Sequence, residues 1–298
     1  MVAVTSPTPQ SFAGDNAQQP PPYSAAMGVD VTEAVSSEDL AREAAEFVRA
    51  RFAVPSIDLA FVLGSGWSEA ADDLGAEIGR CALPEVPGCA RPSVMGHGAT
   101  LRLVRTAAGK VAAIFTGRTH LYEGRGIAQV VHPIRAVAAA GAQVLILTNG
   151  CGGLNPHWTA GTPVLIRDHI NLTGRTPLLG PSFIDLSDVY SGRLRDLART
   201  VEPGLGEGVY VQFHGPQFET PAEVKMAGII GGDLVGMSTA LEAIAARQVG
   251  LEVLGISLVT NLAAGISPTP LNHEEVLLAG RQAAPRLRTL LAGIAAAL

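Results

Sequence analysis

Residues 208–261 read GVYVQFHGPQFETPAEVKMAGIIGGDLVGMSTALEAIAARQVGLEVLGISLVTN, and the order of elements in this stretch decides the fold. An apolar run ends at Gly215-Pro216, and Thr220-Pro221-Ala222-Glu223 then opens a helix. Thr220 suits the N-cap, Pro221 the first helical position, and Glu223 can reach back to the cap. Thr239-Ala240-Leu241-Glu242 repeats that signature directly after a short strand expected at 234–236. Met237 and Ser238 therefore sit where a strand end meets a helix N-terminus, a place where unpaired backbone N–H groups hold an anion or a polar small molecule. Taken alone, a Ser at such a junction is more commonly a cap than an anion ligand. An apolar strand at 253–259 follows and leads into Asn261.

The same alternation extends outward. A buried strand at 57–63 runs into Gly64-Ser65-Gly66 and a helix expected from Trp67. The glycines let backbone N–H groups converge and Ser65 adds a donor, which are the makings of a phosphate cradle. The segment lacks both G-x-G-x-x-G and a P-loop Lys, so by itself it reads as a tight turn. Gly96-His97-Gly98 precedes strands at 100–106 and 111–116, an expected antiparallel pair turning at Ala108-Gly109. Arg118, His120, Tyr122 and Glu123 then crowd between Gly117 and Gly124 at a strand end, where α/β sheets place binding groups.

A helix at 127–140 feeds a strand at 144–147 and then Thr148-Asn149-Gly150-Cys151-Gly152-Gly153, small residues that let a ligand approach the backbone. A strand at 163–170, a long loop at 174–187 carrying Phe183, and a helix at 191–199 come next. Asn272-His273-Glu274-Glu275 opens a long terminal helix that Pro285 is expected to kink or divide. Strand–helix alternation with short connections predicts one α/β domain over 36–298, a mixed and largely parallel central sheet flanked by helices. Its first helix is expected to be capped at Ser36-Ser37-Glu38-Asp39, behind a Pro-, Ser- and Gln-rich tail (1–35) expected to be disordered.

Apolar residues make up 47% of the chain and charged ones 16%, with a net charge of −6 and a mean hydropathy of +0.28. So little charge predicts α/β packing plus a subunit interface. Scattered Lys and Arg argue against nucleic acid or an anionic membrane as partner, so an anionic substrate needs a local nest of donors. Cys81, Cys89 and Cys151 are odd in number without C-x-x-C spacing, and the 7 His form no metal signature. A reducing cytoplasmic location without a metal is the expectation, with no secretory leader and no segment able to span a bilayer.

Taken together, LGSG (63–66), GH (96–97), GRTHLYEG (117–124), TNGCGG with DHINL, GPQFET with GMST, and TNLAAGI with NHEEV resemble the trimeric purine nucleoside phosphorylases, in order, over 38–298. The resemblance implies reversible phosphorolysis of 6-oxopurine ribo- and deoxyribonucleosides to free base and (deoxy)ribose 1-phosphate in purine salvage. Inorganic phosphate is then the co-substrate and no cofactor is needed. Placed on matching positions, it implies phosphate binding by Ser65, His97, Arg118, His120, Gly150 and Ser238. Ribose falls to Tyr122, Met237 and His273, and the purine to Phe218, Glu219 and Asn261. The catalytic roles fall to His97, Glu219 and Asn261, acting through an oxocarbenium-like transition state. Phe183 matches the residue that a neighbouring subunit lays over the site, which implies a homotrimer.

The amide of Asn261 suits a 6-oxo group; the Asp of the related methylthioadenosine phosphorylases would suit a 6-amino group instead. His273 likewise suits a 5′-hydroxyl and gains nothing from a methylthio group. Gly150-Cys151 stands where Ala-Ala is common, and Gly98 where Ala is usual, but neither change removes a ligand group. Of the rival readings, methylthioadenosine or adenosine cleavage needs Asn261 to flip its amide. A non-catalytic nucleoside binder would usually drop a phosphate ligand, and a dinucleotide-binding dehydrogenase lacks its glycine fingerprint here.

Overall fold

The computed structural model describes residues 31–93, 98–267 and 271–298. The tail through residue 30, His97 and the side chain of His273 lie outside the described residues. The sheet is organised on β5 (Val144–Gly153), whose first half pairs in parallel with β1 (Leu59–Val62) in the register Leu59↔Val144 to Val62↔Leu147. Along its other edge β5 pairs in parallel with β9 (Glu252–Leu262). Beyond β1, β2 (Ala76–Ala82), β3 (Thr100–Arg105) and β4 (Val111–Phe115) complete one wing. β6 (Thr162–Asn171), β7 (Gly206–Gln212) and β8 (Leu234–Gly236) return to β5 and β9, so five strands close on themselves within a 9-stranded sheet.

Among the described residues, six helices cover both faces: α1 (Val31–Phe52), α2 (Ile127–Ala139), α3 (Gly192–Val201), α4 (Pro221–Ile229), α5 (Ala240–Gln248) and α6 (His273–Ala297). That double cover is why β1 reads as an unbroken apolar run. Ala60 and Val62 face the core shared with Val48, Phe52 and Ile134, whereas Leu59 and Phe61 face the one shared with Leu287, Leu290 and Ile294.

Several expectations are corrected. The helix expected from Trp67 is only a 3-10 turn over Ser68–Ala71, since Trp67 is fully buried with its indole N–H on the Asn149 carbonyl (2.8 Å). Arg288 of α6 takes the Glu69 carbonyl at 2.8 Å, so tertiary bonds hold the segment before a longer helix can form. The strand expected at 144–147 does not end there: β5 continues through TNGCGG because β9 pairs with it as far as Gly153. The expected cap at Ser36–Ser37 lies inside α1, and Ser37 Oγ instead accepts from Arg135 (2.6 Å). Pro285 does not divide α6, whose one face is pinned by Ala283 before the proline and by Leu287, Leu290 and Leu291 after it. β2 went unread because Gly79, at a register shift, breaks its alternation.

Where β1 ends, β5 has no strand neighbour on that side until β8 joins at Gly152. This gap, at the C-terminal ends of parallel strands, is where an open α/β sheet offers a binding crevice. Gly64 N–H donates to Thr148 Oγ1 (3.1 Å) and Thr148 Oγ1 to the Val62 carbonyl (3.2 Å), which ties the Gly64-Ser65-Gly66 loop to the crevice floor. Gly66 adopts φ +83° and lies against Gly280 of α6. A Cβ at Gly280 would overlap the Gly66 backbone, so Gly280→Ala should cost about 3 kcal/mol in denaturant unfolding. Gly204→Ala, which meets open space, should change stability by less than about 0.5 kcal/mol. Equal effects of the two would refute the packing account.

Candidate active site

A cleft of ≈ 260 Å³ opens at this gap and brings together residues from across the chain. Ser65, Arg118, His120, Gly150 and Ser238 line one part of it, and Tyr122 and Met237 another. Phe218, Glu219 and Asn261 line it as well, so ten of the residues singled out from sequence converge here. Phe183 does not: it stands 95% exposed on the 174–187 loop, outside the cleft.

One wall of the cleft is built on Arg118, buried just after β4. Its Nε donates to Glu242 Oε1 (3.0 Å), and its Nη1 to the Thr148 carbonyl (2.6 Å) and to Ser238 Oγ (3.2 Å). Glu242 also accepts the Thr239 N–H (2.7 Å) on its other oxygen. The start of α5 differs from the expectation of unpaired N–H groups. Gln212 Oε1, reaching over from β7, takes the N–H groups of Ala240 (2.8 Å) and Leu241 (3.3 Å), and the Tyr210 phenol takes that of Ser238 (3.3 Å). Side-chain donors, rather than this helix terminus, are what the cleft presents to an anion.

Next to it, the His120 and Tyr122 rings stack 4.7 Å apart at 14°. Burial opposes ionisation of Glu123, but hydrogen bonds from His120 and Ser93 prevail and hold its carboxyl at about 2. Burial pushes the His120 pKa below its ordinary value, so at neutral pH the ring is neutral. With Nδ1 turned to the Glu123 carboxylate (3.3 Å), Nδ1 carries the proton and Nε2 is an acceptor. Gly215, at φ +73°, is needed here because a Cβ would strike Met237 Sδ at 2.6 Å and the Tyr122 ring at 2.8 Å.

Glu219, Asn261 and Phe218 form another part of the lining. Glu219 is 8% exposed, and its Oε1 has no hydrogen-bond partner among the described residues. Burial raises its pKa. Asn261 is held from two sides: Thr260 Oγ1 donates to Oδ1 (2.8 Å) and Nδ2 donates to the Leu262 carbonyl (2.9 Å). Each amide atom keeps one further valence for a ligand. Phe218 stands beside them, half-exposed. Cys151 also lines the cleft, but burial pushes its thiol up to about 12 and its S–H is turned to the Leu258 carbonyl (3.4 Å), so it is no nucleophile.

Glu242, Gln212 and Tyr210 were missed as site-building residues. Glu242 read only as a cap, yet an acid inside the apolar run Ala240-Leu241-Glu242-Ala243-Ile244 requires a buried partner.

A sequence profile of the phosphorylase superfamily matches residues 58–296. The chain is 60% identical to a purine nucleoside phosphorylase of Cellulomonas sp over 260 residues, 86% of this chain and 92% of that one. It is 51% identical to the purine nucleoside phosphorylase of Mycobacterium tuberculosis over 259 residues, 87% of this chain and 96% of that one. Among solved structures, a Schistosoma mansoni purine nucleoside phosphorylase in complex with adenosine matches with a TM-score of 0.78 at 32% identity, covering 86% of this chain and 96% of that one.

The buried Glu219 carboxyl generates a pH prediction. Its folded-state pKa lies above its unfolded one, so the native state takes up this proton first as pH falls. The resulting stability is fully present below the unfolded pKa and is lost as pH rises through the folded one. Relative to Glu219→Gln, the wild type should therefore gain stability in denaturant titrations as pH falls through the range above the ordinary carboxyl value of 4.5. A stability difference that stays constant over that range would contradict the assignment.

Proposed function

The chain belongs to the purine nucleoside phosphorylases of the phosphorylase superfamily, pentosyltransferases that move ribose from a purine nucleoside to phosphate, and on that premise we propose that its substrates are 6-oxopurine nucleosides. The observation that carries this reading is the buried Glu219 carboxylate with an unpartnered oxygen. Inosine and guanosine have an N1–H to donate to it; adenine presents a bare N1 lone pair, and two acceptors facing each other in a dry site repel. Asn261 completes the edge: Nδ2 donates to O6, and Oδ1 accepts from N7 once N7 takes up a proton from solvent as charge builds on the departing base.

At the anion end, Arg118, Ser238 and Ser65 supply donors to phosphate, and His97 is carried as a further ligand by its place in the GH motif. Neutral His120 accepts the hydroxyl of hydrogen phosphate through Nε2. Gly150 keeps the backbone near the ligand open. Tyr122 and Met237 hold the ribose between the two ends, and His273 takes the 5′-hydroxyl. Cleavage proceeds as the C1′–N9 bond breaks and its electrons pass to the purine. Phosphate stabilises the ribosyl cation and then bonds to C1′ with inversion, so neither a metal nor another cofactor enters the reaction. In the homotrimer proposed here, the exposed Phe183 of one subunit closes over the site of the next, beside half-exposed Phe218. The free thiols suit a reducing cytoplasm, and among the described residues no helix is long and apolar enough to cross a membrane.

Methylthioadenosine or adenosine cleavage is the second reading, and the hold on Asn261 weighs against it. Flipping the amide to suit a 6-amino group would set Oδ1 against the Leu262 carbonyl oxygen and lose that hydrogen bond. Phosphate-dependent base release should favour inosine and guanosine over adenosine and methylthioadenosine by about 10³-fold or more in kcat/KM. Asn261→Asp should shift activity toward adenosine. Comparable wild-type rates with adenosine would overturn the 6-oxopurine assignment.

A further inference from the structure

Glu242 and Thr239 are both 1% exposed and neither lines the cleft. Resting on the reading of that cleft as a phosphate and nucleoside site, we propose that both are positioning residues that set the aim of Arg118 and Ser238. One carboxylate joins two separate parts of the fold: Oε1 takes Arg118 Nε at 3.0 Å and Oε2 takes the Thr239 N–H at 2.7 Å. The guanidinium that follows β4 and the junction between β8 and α5 are thereby held at one fixed separation. Arg118 Nη1 in turn reaches the Thr148 carbonyl and Ser238 Oγ.

Thr239 carries the second half of the device. It adopts φ +83°, a region where a β-branched residue is an outlier and which persists only when its surroundings over-determine it. Glu242 fixes its N–H, and Asn149 Nδ2 fixes its Oγ1 at 2.9 Å. A glycine would accept this backbone without strain, but it would lose the hydroxyl that links Asn149 to Ser238 Oγ at 3.2 Å. Ser238 is thus held by Arg118 on one side, by Thr239 on another and by the Tyr210 phenol at its N–H. A helix-capping role alone accounts for the Glu242 contact to Thr239 but leaves the contact to Arg118 unexplained. Capping also needs no buried charge, since a neutral side chain can do it.

The test is initial-rate kinetics of full-length Glu242→Gln, Thr239→Val and Thr239→Ser, with phosphate and inosine varied separately. Glu242→Gln should raise the KM for phosphate about tenfold while the KM for inosine stays within about twofold. Thr239→Val keeps the β-branch and removes only the hydroxyl, so it should raise the phosphate KM about threefold. Thr239→Ser, which keeps the hydroxyl, should restore the wild-type value. If Glu242→Gln fails to fold, the Thr239 pair decides alone. Lowered melting temperatures with an unchanged phosphate KM in the variants would overturn the proposal and leave a structural role only. Absence of phosphate-dependent base release by the wild type would instead sink the functional reading. Positioning would then be judged by the melting-temperature rise that inorganic phosphate gives, which should be smaller in Thr239→Val, and an equal rise would refute it.

Discussion

Arg118 and Glu242 meet at 3.0 Å with 3% and 2% of their side chains exposed, in a wall otherwise made of strand ends and apolar helix. Taking two charges out of water costs several kcal/mol per ion, and mutual attraction rarely returns much more than that. Such a pair is poor value as a source of stability. Its consequence is geometric: the end of β4, the floor of β5 at Thr148 and the start of α5 are held together around one guanidinium. The gap between β1 and β8 is thereby left as a crevice with fixed walls instead of closing by further strand pairing.

In the reaction we propose, two parts of the cleft meet opposite charges. The Arg118 charge and nearby hydroxyls would meet the phosphate, with Glu242 already neutralising part of the field. That balance suits a phosphate that must be held for attack and later leave as part of a product. On the same proposal, the buried Glu219 carboxyl and the clamped Asn261 amide would face the base, where negative charge develops as the glycosidic bond breaks. On that proposal the ribosyl cation would form beside the stacked His120 and Tyr122 rings, which also line the cleft.

Much of the site was legible because its residues cluster at strand ends and are bounded by glycines, as in Gly117 to Gly124. Polar side chains in such places have few structural duties. The fold class was legible for a related reason: β1, β5 and β9 are buried on both faces and read as apolar runs between capped helices. What escaped was set by tertiary contact. No local pattern says that β9 will draw Thr148 to Gly153 into a strand, or that Gln212 will cap α5 from across the sheet. Glu242 satisfied a local rule so well, as the third residue of a capping box, that its second partner 124 positions away was invisible. Trp67 began a plausible helix that a single indole hydrogen bond and the contact with α6 cut short.

The central claim is that the nucleoside is cleaved by phosphate at this cleft, with transfer of ribose and not hydrolysis. Quantifying both products of inosine cleavage by the wild-type protein while phosphate is varied tests it most directly. The account predicts hypoxanthine and α-ribose 1-phosphate in equal amounts, at a rate that saturates with phosphate and vanishes without it. Free ribose as the sugar product, or base release that ignores phosphate, would contradict it.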